Sequence, residues 1–328
     1  MKKWAGLALL LIVAGVNCGM ICQDLEKDAA AGDIKFTFIA PMANYGYWGQ
    51  MALAISETCG ELGIDIKCVG SAKSDSAQQI QSIRSAVRSG ADGIITTGLL
   101  DSEDFRKVLS EAQEADIPVV LIDSDAEDSA HLCYIGIDNF SAGQTAAKLL
   151  ADLTEGKGRV AVAASEIEKP NQSERLRGFQ EGLKKYPELE IISVLEHGES
   201  IIALKDQITQ LLDQNPQVDA LFCLEGYSSR AISLIMEEHP ESYRGMPKVV
   251  FDLNDDTGQA VRNGYVDVVL EQKPRTMGME AVRVLDEYRK RPVEKEKDDI
   301  LLEPEIITAE CDDIEQPYIS GELIWHIY

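Results

Sequence analysis

KVVFDLNDDTGQAVRNGYVDVVLEQKPRTMG, running from Lys248 to Gly278, passes through strand, helix, strand and helix start in one short run. Val249, Val250 and Phe251 form an apolar strand that stops on Asp252. Asn254, Asp255 and Asp256 bring the side-chain acceptors that cap a helix, and Asn263-Gly264 ends it. Val266, Val268, Val269 and Leu270 make a second strand that stops on Glu271-Gln272. Lys273-Pro274 then opens a helix, because proline lacks the N–H a strand needs and suits a first helical turn. Two consecutive strands therefore end on polar side chains, and the carboxyl edge of an open parallel sheet is where ligands bind.

The same alternation runs along the chain. Ile34 to Pro41 is a continuous apolar strand suited to a sheet covered on both faces. Trp48, Met51, Ala52, Ile55, Cys59 and Leu62 follow at helical spacing. Strands are expected at Asp65–Gly70, Ile94–Thr97, Ile117–Ile122 and Leu132–Ile137, the third ending on Asp123 and the fourth on Asp138-Asn139. A helix capped by Ser74-Asp75 and one carrying Phe105, Val108, Leu109 and Ala112 lie between them. After a break near 138 the pattern restarts, with strands near Arg159–Ala164, Glu190–Leu195, Ala220–Leu224 and Lys248–Phe251 and helices between. A helix at Thr276–Tyr288, a Lys/Glu-rich run and one final strand near Ile300–Thr308 close the pattern. Strands alternating with helices specify right-handed βαβ units and parallel sheets, so the fold expected is α/β with two Rossmann-like lobes.

The chain has 328 residues, enough for two domains, and its 45% hydrophobic content supports real cores. A net charge of −25 argues against a nucleic-acid partner, which requires a basic face. Lys2-Lys3 precede Trp4 to Cys22, about 19 residues with Asn17 the one clearly polar side chain, the form of an export signal. Residues 1–22 are expected to stay as a membrane anchor, to be cleaved near Ala29-Ala30-Ala31, or to be lipidated at Cys18 or Cys22. The anchor is favoured over lipidation because Asn17 and Ile21 stand where a lipobox has a small residue. In each case the remainder is extracytoplasmic, following a polar tether at 23–33. Cys59, Cys68, Cys133, Cys223 and Cys311 show no metal or redox spacing and are expected as small buried hydrophobes, with a Cys59–Cys68 disulfide permitted.

No phosphate-binding glycine loop, zinc spacing or nucleophile elbow is present, so neither a cofactor, a metal nor catalysis is expected. His131, His197, His239 and His326 are scattered and expected to be solvated. What remains is polar and aromatic groups at strand ends. Tyr45, Tyr47 and Trp48 follow the first strand, where aromatic faces can cover a sugar ring, although Trp48 also fits the helix's core stripe. Asp123, Asp252 and Gln272 each end a strand, and carboxylate and amide suit adjacent hydroxyls.

Seven segments in order carry a resemblance. They are Asn44-Tyr45-Gly46-Tyr47-Trp48, Ala91-Asp92-Gly93-Ile94-Ile95, the strand Ile117 to Ser124, Gly136-Ile137-Asp138-Asn139, Glu174 to Phe179, Val249 to Asp252, and Glu271-Gln272-Lys273-Pro274. Over about residues 34–310 the chain resembles the ribose/galactose-type periplasmic binding proteins, whose lobes also form the effector domain of lactose-repressor-type regulators. With no helix-turn-helix and no basic patch, the regulator alternative is set aside. The resemblance implies a type I periplasmic-binding-protein fold: two lobes, a hinge of three crossovers, and closure over a sugar or polyol. It places crossovers near Ile137–Asp138, Gln272–Lys273 and Glu303–Pro304. The first lobe is then 34–137 plus 273–303, the second 138–272 plus 304–311, with an unplaced tail at 312–328. It implies ligand contacts at Asn44, Tyr47, Trp48, Thr97, Asp123, Asp252 and Gln272, with Ser173 or Arg175 at an arginine position. Two departures argue against ribose itself: Ser124 replaces an arginine, and Glu225 stands where Asn-Asp is common. They favour another sugar, a polyol or a ligand with a cationic group, and Glu225 is expected to meet a donor-rich ligand or to pair with Arg175 or Arg230. The expected partner of this monomer is an ABC permease, with a membrane sensor as the alternative.

Overall fold

The computed structural model describes residues 34–43, 46–98, 102–214, 217–239, 243, 245–291, 298–311 and 325–327. The expected anchor and tether, Asn44, and residues 312–324 of the tail lie outside them. The first half alternates β1 (Lys35–Ala40), α1 (Gly46–Leu62), β2 (Asp65–Gly70), α2 (Ser76–Arg88), β3 (Gly93–Thr96), α3 (Glu103–Glu114), β4 (Val119–Ile122) and β5 (Cys133–Ile137). The second half runs α4 (Asn139–Thr154), β6 (Lys157–Ala164), α5 (Pro170–Leu183), β7 (Glu188–Glu196), α6 (Ile201–Gln214), β8 (Ala220–Cys223), α7 (Gly226–Glu238), β9 (Lys248–Phe251), α8 (Asp255–Arg262) and β10 (Val268–Glu271). Then come α9 (Pro274–Lys290), β11 (Ile300–Leu302), β12 (Glu305–Ile307) and β13 (Trp325–Ile327).

Two sheets result, in the orders β11-β5-β4-β3-β1-β2-β13 and β12-β10-β9-β8-β6-β7. All pairings are parallel except β10 with β12. Strand β1 is flanked by apolar side chains on both faces. Phe36 and Phe38 pack with Met51, Ile55, Met277 and Leu285, and Ile39 packs with Ile83, Phe105 and Val108 on the other side. This two-sided burial is why the strands read as unbroken apolar runs. The helices begin where polar side chains can satisfy free N–H groups: Asp75, Ser102 and Asp138 cap α2, α3 and α4, and Asn254 with Thr257 closes a capping box on α8.

The chain passes between the sheets four times: from β5 to α4, from β10 to α9, which packs back on α1 and β4, from β11 to β12, and from β12 to β13. The expected single strand at Ile300–Thr308 is thus two strands on different sheets, because Glu303-Pro304 interrupts it. The unplaced tail contributes β13, which lies parallel to β2 and sets Trp325 beside Phe38, ring centroids 6.0 Å apart. Among the described residues four cysteines are buried free thiols, and the permitted Cys59–Cys68 disulfide is not formed. Cys311 is exposed, contrary to the expectation, because it follows the last strand of the second sheet on the surface.

Candidate functional site

The carboxyl ends of β1, β3 and β4 face those of β6, β8, β9 and β10 across a cavity of about 340 Å³. Its two central carboxylates occupy the same place in each lobe. Asp123 follows β4 with φ 65° and Asp252 follows β9 with φ 67°, so each turns left-handed as its strand ends. Asp tolerates that region better than most side chains because its short polar group bonds locally. Each aspartate donates its backbone N–H to the neighbouring strand, Asp123 to the Ile135 carbonyl and Asp252 to the Leu270 carbonyl, and both side chains line the cavity.

Asp123 accepts a hydrogen bond from the Tyr47 hydroxyl at 2.7 Å and from Asn171 Nδ2, in the opposite lobe, at 3.2 Å. Burial raises its carboxyl above the usual range, while Arg175 and Tyr47 act the other way. Burial and the adjacent Asp123 hold the Tyr47 phenol protonated well above its ordinary value. Trp48 meets Tyr47 edge-on, ring centroids 5.2 Å apart. Asp252 accepts from Gln272 Nε2 at 2.6 Å, and burial lifts its carboxyl to about 6, opposed by Arg175.

Arg175 is fully buried yet fully organised. Its Nε donates to Asn139 Oδ1 at 2.8 Å, its Nη1 to the Leu224 carbonyl at 2.7 Å, and its Nη2 to Gln272 Oε1. The guanidinium lies over the Phe251 ring at 4.2 Å. A close helix crossing places it. Gly143 on α4 and Gly178 on α5 let backbones touch, since a Cβ on Gly178 would stand 2.0 Å from the Phe140 carbonyl oxygen.

Glu225 pairs with neither Arg175 nor Arg230, and the latter is engaged with Asp256. Instead Glu225 caps α7, accepting from Tyr227 N at 2.6 Å and Ser228 N at 2.9 Å, with His197 Nε2 at 3.3 Å. Burial alone would raise its carboxyl, but the bonds from His197 and Ser228 keep it below the usual range. The expectation of a solvated His197 is corrected: it is 6% exposed, because it ends β7 beneath α7 rather than lying in an open loop. Thr97 Oγ1 and Ser124 Oγ are buried on the cavity wall and have no hydrogen-bond partner.

Tyr47, Trp48, Thr97, Asp123, Arg175, Glu225, Asp252 and Gln272 thus share one cavity. Ser173 does not join them. It lies on the wall of a neighbouring 560 Å³ cavity, two residues and so about 200° around α5 from Arg175. Asn44 lies outside the described residues. The sequence reading passed over His197, Asn171, Tyr227 and the rim pair Lys169–Glu199, 2.5 Å apart. His197 follows β7, so the strand-end rule that picked out Asp123 and Asp252 also reaches it, whereas Asn171 sits in the first turn of α5, beyond the loop after β6. Among the described residues no group of His, Cys, Asp and Glu is arranged to hold a metal ion.

A family described as "Periplasmic binding protein domain" matches residues 36–291. The ribose import binding protein RbsB of Bacillus subtilis is 22% identical over 286 residues, covering 86% of this chain and 90% of RbsB. The xylose/arabinose-binding protein XylF of Sulfolobus acidocaldarius is 21% identical over 258 residues, 74% of this chain, and the match spans 63% of XylF. Among solved structures, GanP, a glucose-galactose binding protein from Geobacillus stearothermophilus, superposes with a TM-score of 0.78 at 25% identity, covering 84% of this chain and 97% of GanP. A structure titled "XylFII-LytSN complex" superposes at 0.76 with 26% identity, covering 84% of this chain and 98% of that one. These relatives are named for the sugars they bind or for a complex they form, and none is an enzyme. With the match running through both lobes and the cleft between them, the chain belongs to the periplasmic binding protein family.

Proposed function

We propose that this chain is an extracytoplasmic receptor that captures a sugar or sugar-like polyol between its lobes and delivers it to an ABC permease. The observation that carries this reading is the pairing of Asp123 and Asp252, one from each lobe, in a single buried cavity. Each carboxylate accepts hydrogen bonds from hydroxyls, and Tyr47 and Trp48 supply the aromatic surface. A ligand touching both aspartates is fully bound only when the lobes are together, so binding energy biases the hinge. The relatives named for ribose, xylose, arabinose, glucose and galactose support a sugar as the ligand class.

Signalling to a membrane sensor is the second reading. The XylFII–LytSN complex supports it, since a structural neighbour of this chain is known bound to a partner. A membrane anchor at residues 1–22 and a monomeric state belong to the proposal and suit either route. The test is a thermal-shift screen of pentoses, hexoses, amino sugars and polyols, with each ligand assayed for turnover. A ligand-dependent rise in Tm without turnover supports capture, and turnover of any ligand overturns it. Crosslinking in native membranes then decides between the routes: recovery of a permease subunit supports delivery, and recovery of a sensor kinase supports signalling.

A further inference from the structure

Charge in the cavity is unbalanced: five carboxylates line it against two cations. At the rim Lys169 is shared between Glu199 at 2.5 Å and Glu166 at 3.6 Å. On the floor Arg175 directs Nε, Nη1 and Nη2 to neutral acceptors, namely Asn139, the Leu224 carbonyl and Gln272. Among the described residues it is the one guanidinium that shares the cavity with Asp123, Asp252 and Glu225. His197 Nε2 lies against Glu225 and Ser228, so it serves Glu225 and leaves Asp123 and Asp252 to Arg175. Its Nδ1 is buried without a partner. Closing such a floor over a neutral ligand buries uncompensated negative charge, which is costly.

The hydrogen-bonding groups left over point the same way. Asp252 Oδ2 meets no donor among the described residues, since Gln272 takes Oδ1. On the facing wall Thr97 and Ser124 are 3% and 4% exposed, and neither hydroxyl has a partner. The protein therefore offers a carboxylate oxygen on one side and, on the other, two hydroxyls that can each accept or donate. An ammonium, with three donors and no acceptor, suits that set and supplies the missing charge. Resting on the sugar-binding reading, we infer that the cleft selects sugars or polyols carrying a protonated amine, and that it rejects sugar acids and sugar phosphates.

The test is calorimetric titration of the full-length chain with matched sets: D-glucosamine, D-glucose, N-acetyl-D-glucosamine, D-glucuronate and glucose 6-phosphate, and the corresponding galacto compounds. The amine is expected to bind at least about tenfold tighter than its hydroxyl parent. N-acetylation should abolish that advantage, and the acid and phosphate should give no heat. Asp252→Asn should shrink the ratio of amine to parent affinity about tenfold, whatever happens to affinity as a whole. If that variant does not fold, added salt supplies the second readout: it should weaken the amine and leave the neutral parent unchanged. Parent and amine binding equally, or the acid binding as well as either, overturns the inference while leaving sugar capture intact. No heat with any of these compounds, when the thermal-shift screen finds another sugar that binds, overturns the inference alone, and no response in either experiment overturns both.

Discussion

Asp252 joins burial, backbone strain and charge in one side chain. It sits at φ 67° and 7% exposure, and burial lifts its carboxyl from 3.8 to about 6, with Asp123 and Glu225 adding to the rise. The folded chain therefore holds this proton more tightly than the unfolded chain. The penalty is absent well below the unfolded value and grows as pH rises through about 6. The ligand-free protein should lose on the order of 2–3 kcal/mol from this group between about pH 4 and pH 6. Asp123 and Glu271, both raised, act in the same direction. Melting curves across that range check the sign: Asp252→Asn should flatten part of the decline, and a decline unchanged by the substitution would refute the assignment. The same substitution should weaken sugar binding by about 1–3 kcal/mol per lost bond, read by calorimetry. Glu225 is a different case. Its oxygens are already met by the α7 amides, Ser228 and His197. Glu225→Ala should therefore lower stability by about 1–2 kcal/mol through the lost cap, a shift in the urea midpoint at constant slope.

At the scale of elements, the sequence was legible where pattern and punctuation agreed. Lys248–Phe251 emerges as expected, because Val249, Val250 and Phe251 form an unbroken apolar run, and Asp65–Gly70 emerges as expected between the end of α1 and the cap of α2. Pro274 opens α9 and Gly264, at φ 69°, follows the end of α8. Ile300–Thr308 was less legible, since its two halves join different sheets and no local pattern records which sheet a short strand will join. Nor was β13 visible: Trp325–Ile327 is too short for a period, and only the exposed edge of β2 gives it a place. In the site, Asp123, Asp252 and Gln272 were legible from strand ends, whereas the role of Glu225 depended on His197, distant in sequence and joined to it only by the fold. The α4–α5 crossing likewise depends on Gly143 and Gly178, ordinary-looking glycines in sequence. Gly178→Ala would place a methyl 2.0 Å from the Phe140 carbonyl oxygen, backbone that cannot swing aside. The helices must separate, at about 1–3 kcal/mol in thermal or urea unfolding, and Arg175 must move with α5. Ligand affinity should fall together with stability, and a variant of unchanged Tm would show that the crossing has slack.

For the whole molecule, the central quantity is the equilibrium between lobes apart and lobes together. Among the described residues, bonds that cross the cleft away from the hinge include Asn171 Nδ2 to Asp123 Oδ2 at 3.2 Å and the Tyr227 hydroxyl to Met42 Sδ at 2.9 Å. A bond to a buried carboxylate is worth about 1.5–3 kcal/mol net, while a bond to a thioether is weaker. Asn171 is therefore the stronger tie of the two. It lies at the start of α5, half-buried, where removing its amide disturbs little core. Apparent affinity is the intrinsic affinity scaled by the population able to hold ligand on both sides. Asn171→Ala should reduce that population, raising the apparent Kd about tenfold or more with Tm of the ligand-free chain nearly unchanged. Small-angle scattering checks the cause separately from the affinity. The ligand-free variant should be more expanded than the wild type, and saturating ligand should return both to the same radius of gyration. Loss of affinity with no change in the ligand-free radius would mean that Asn171 acts as a ligand contact and not as a tie between the lobes.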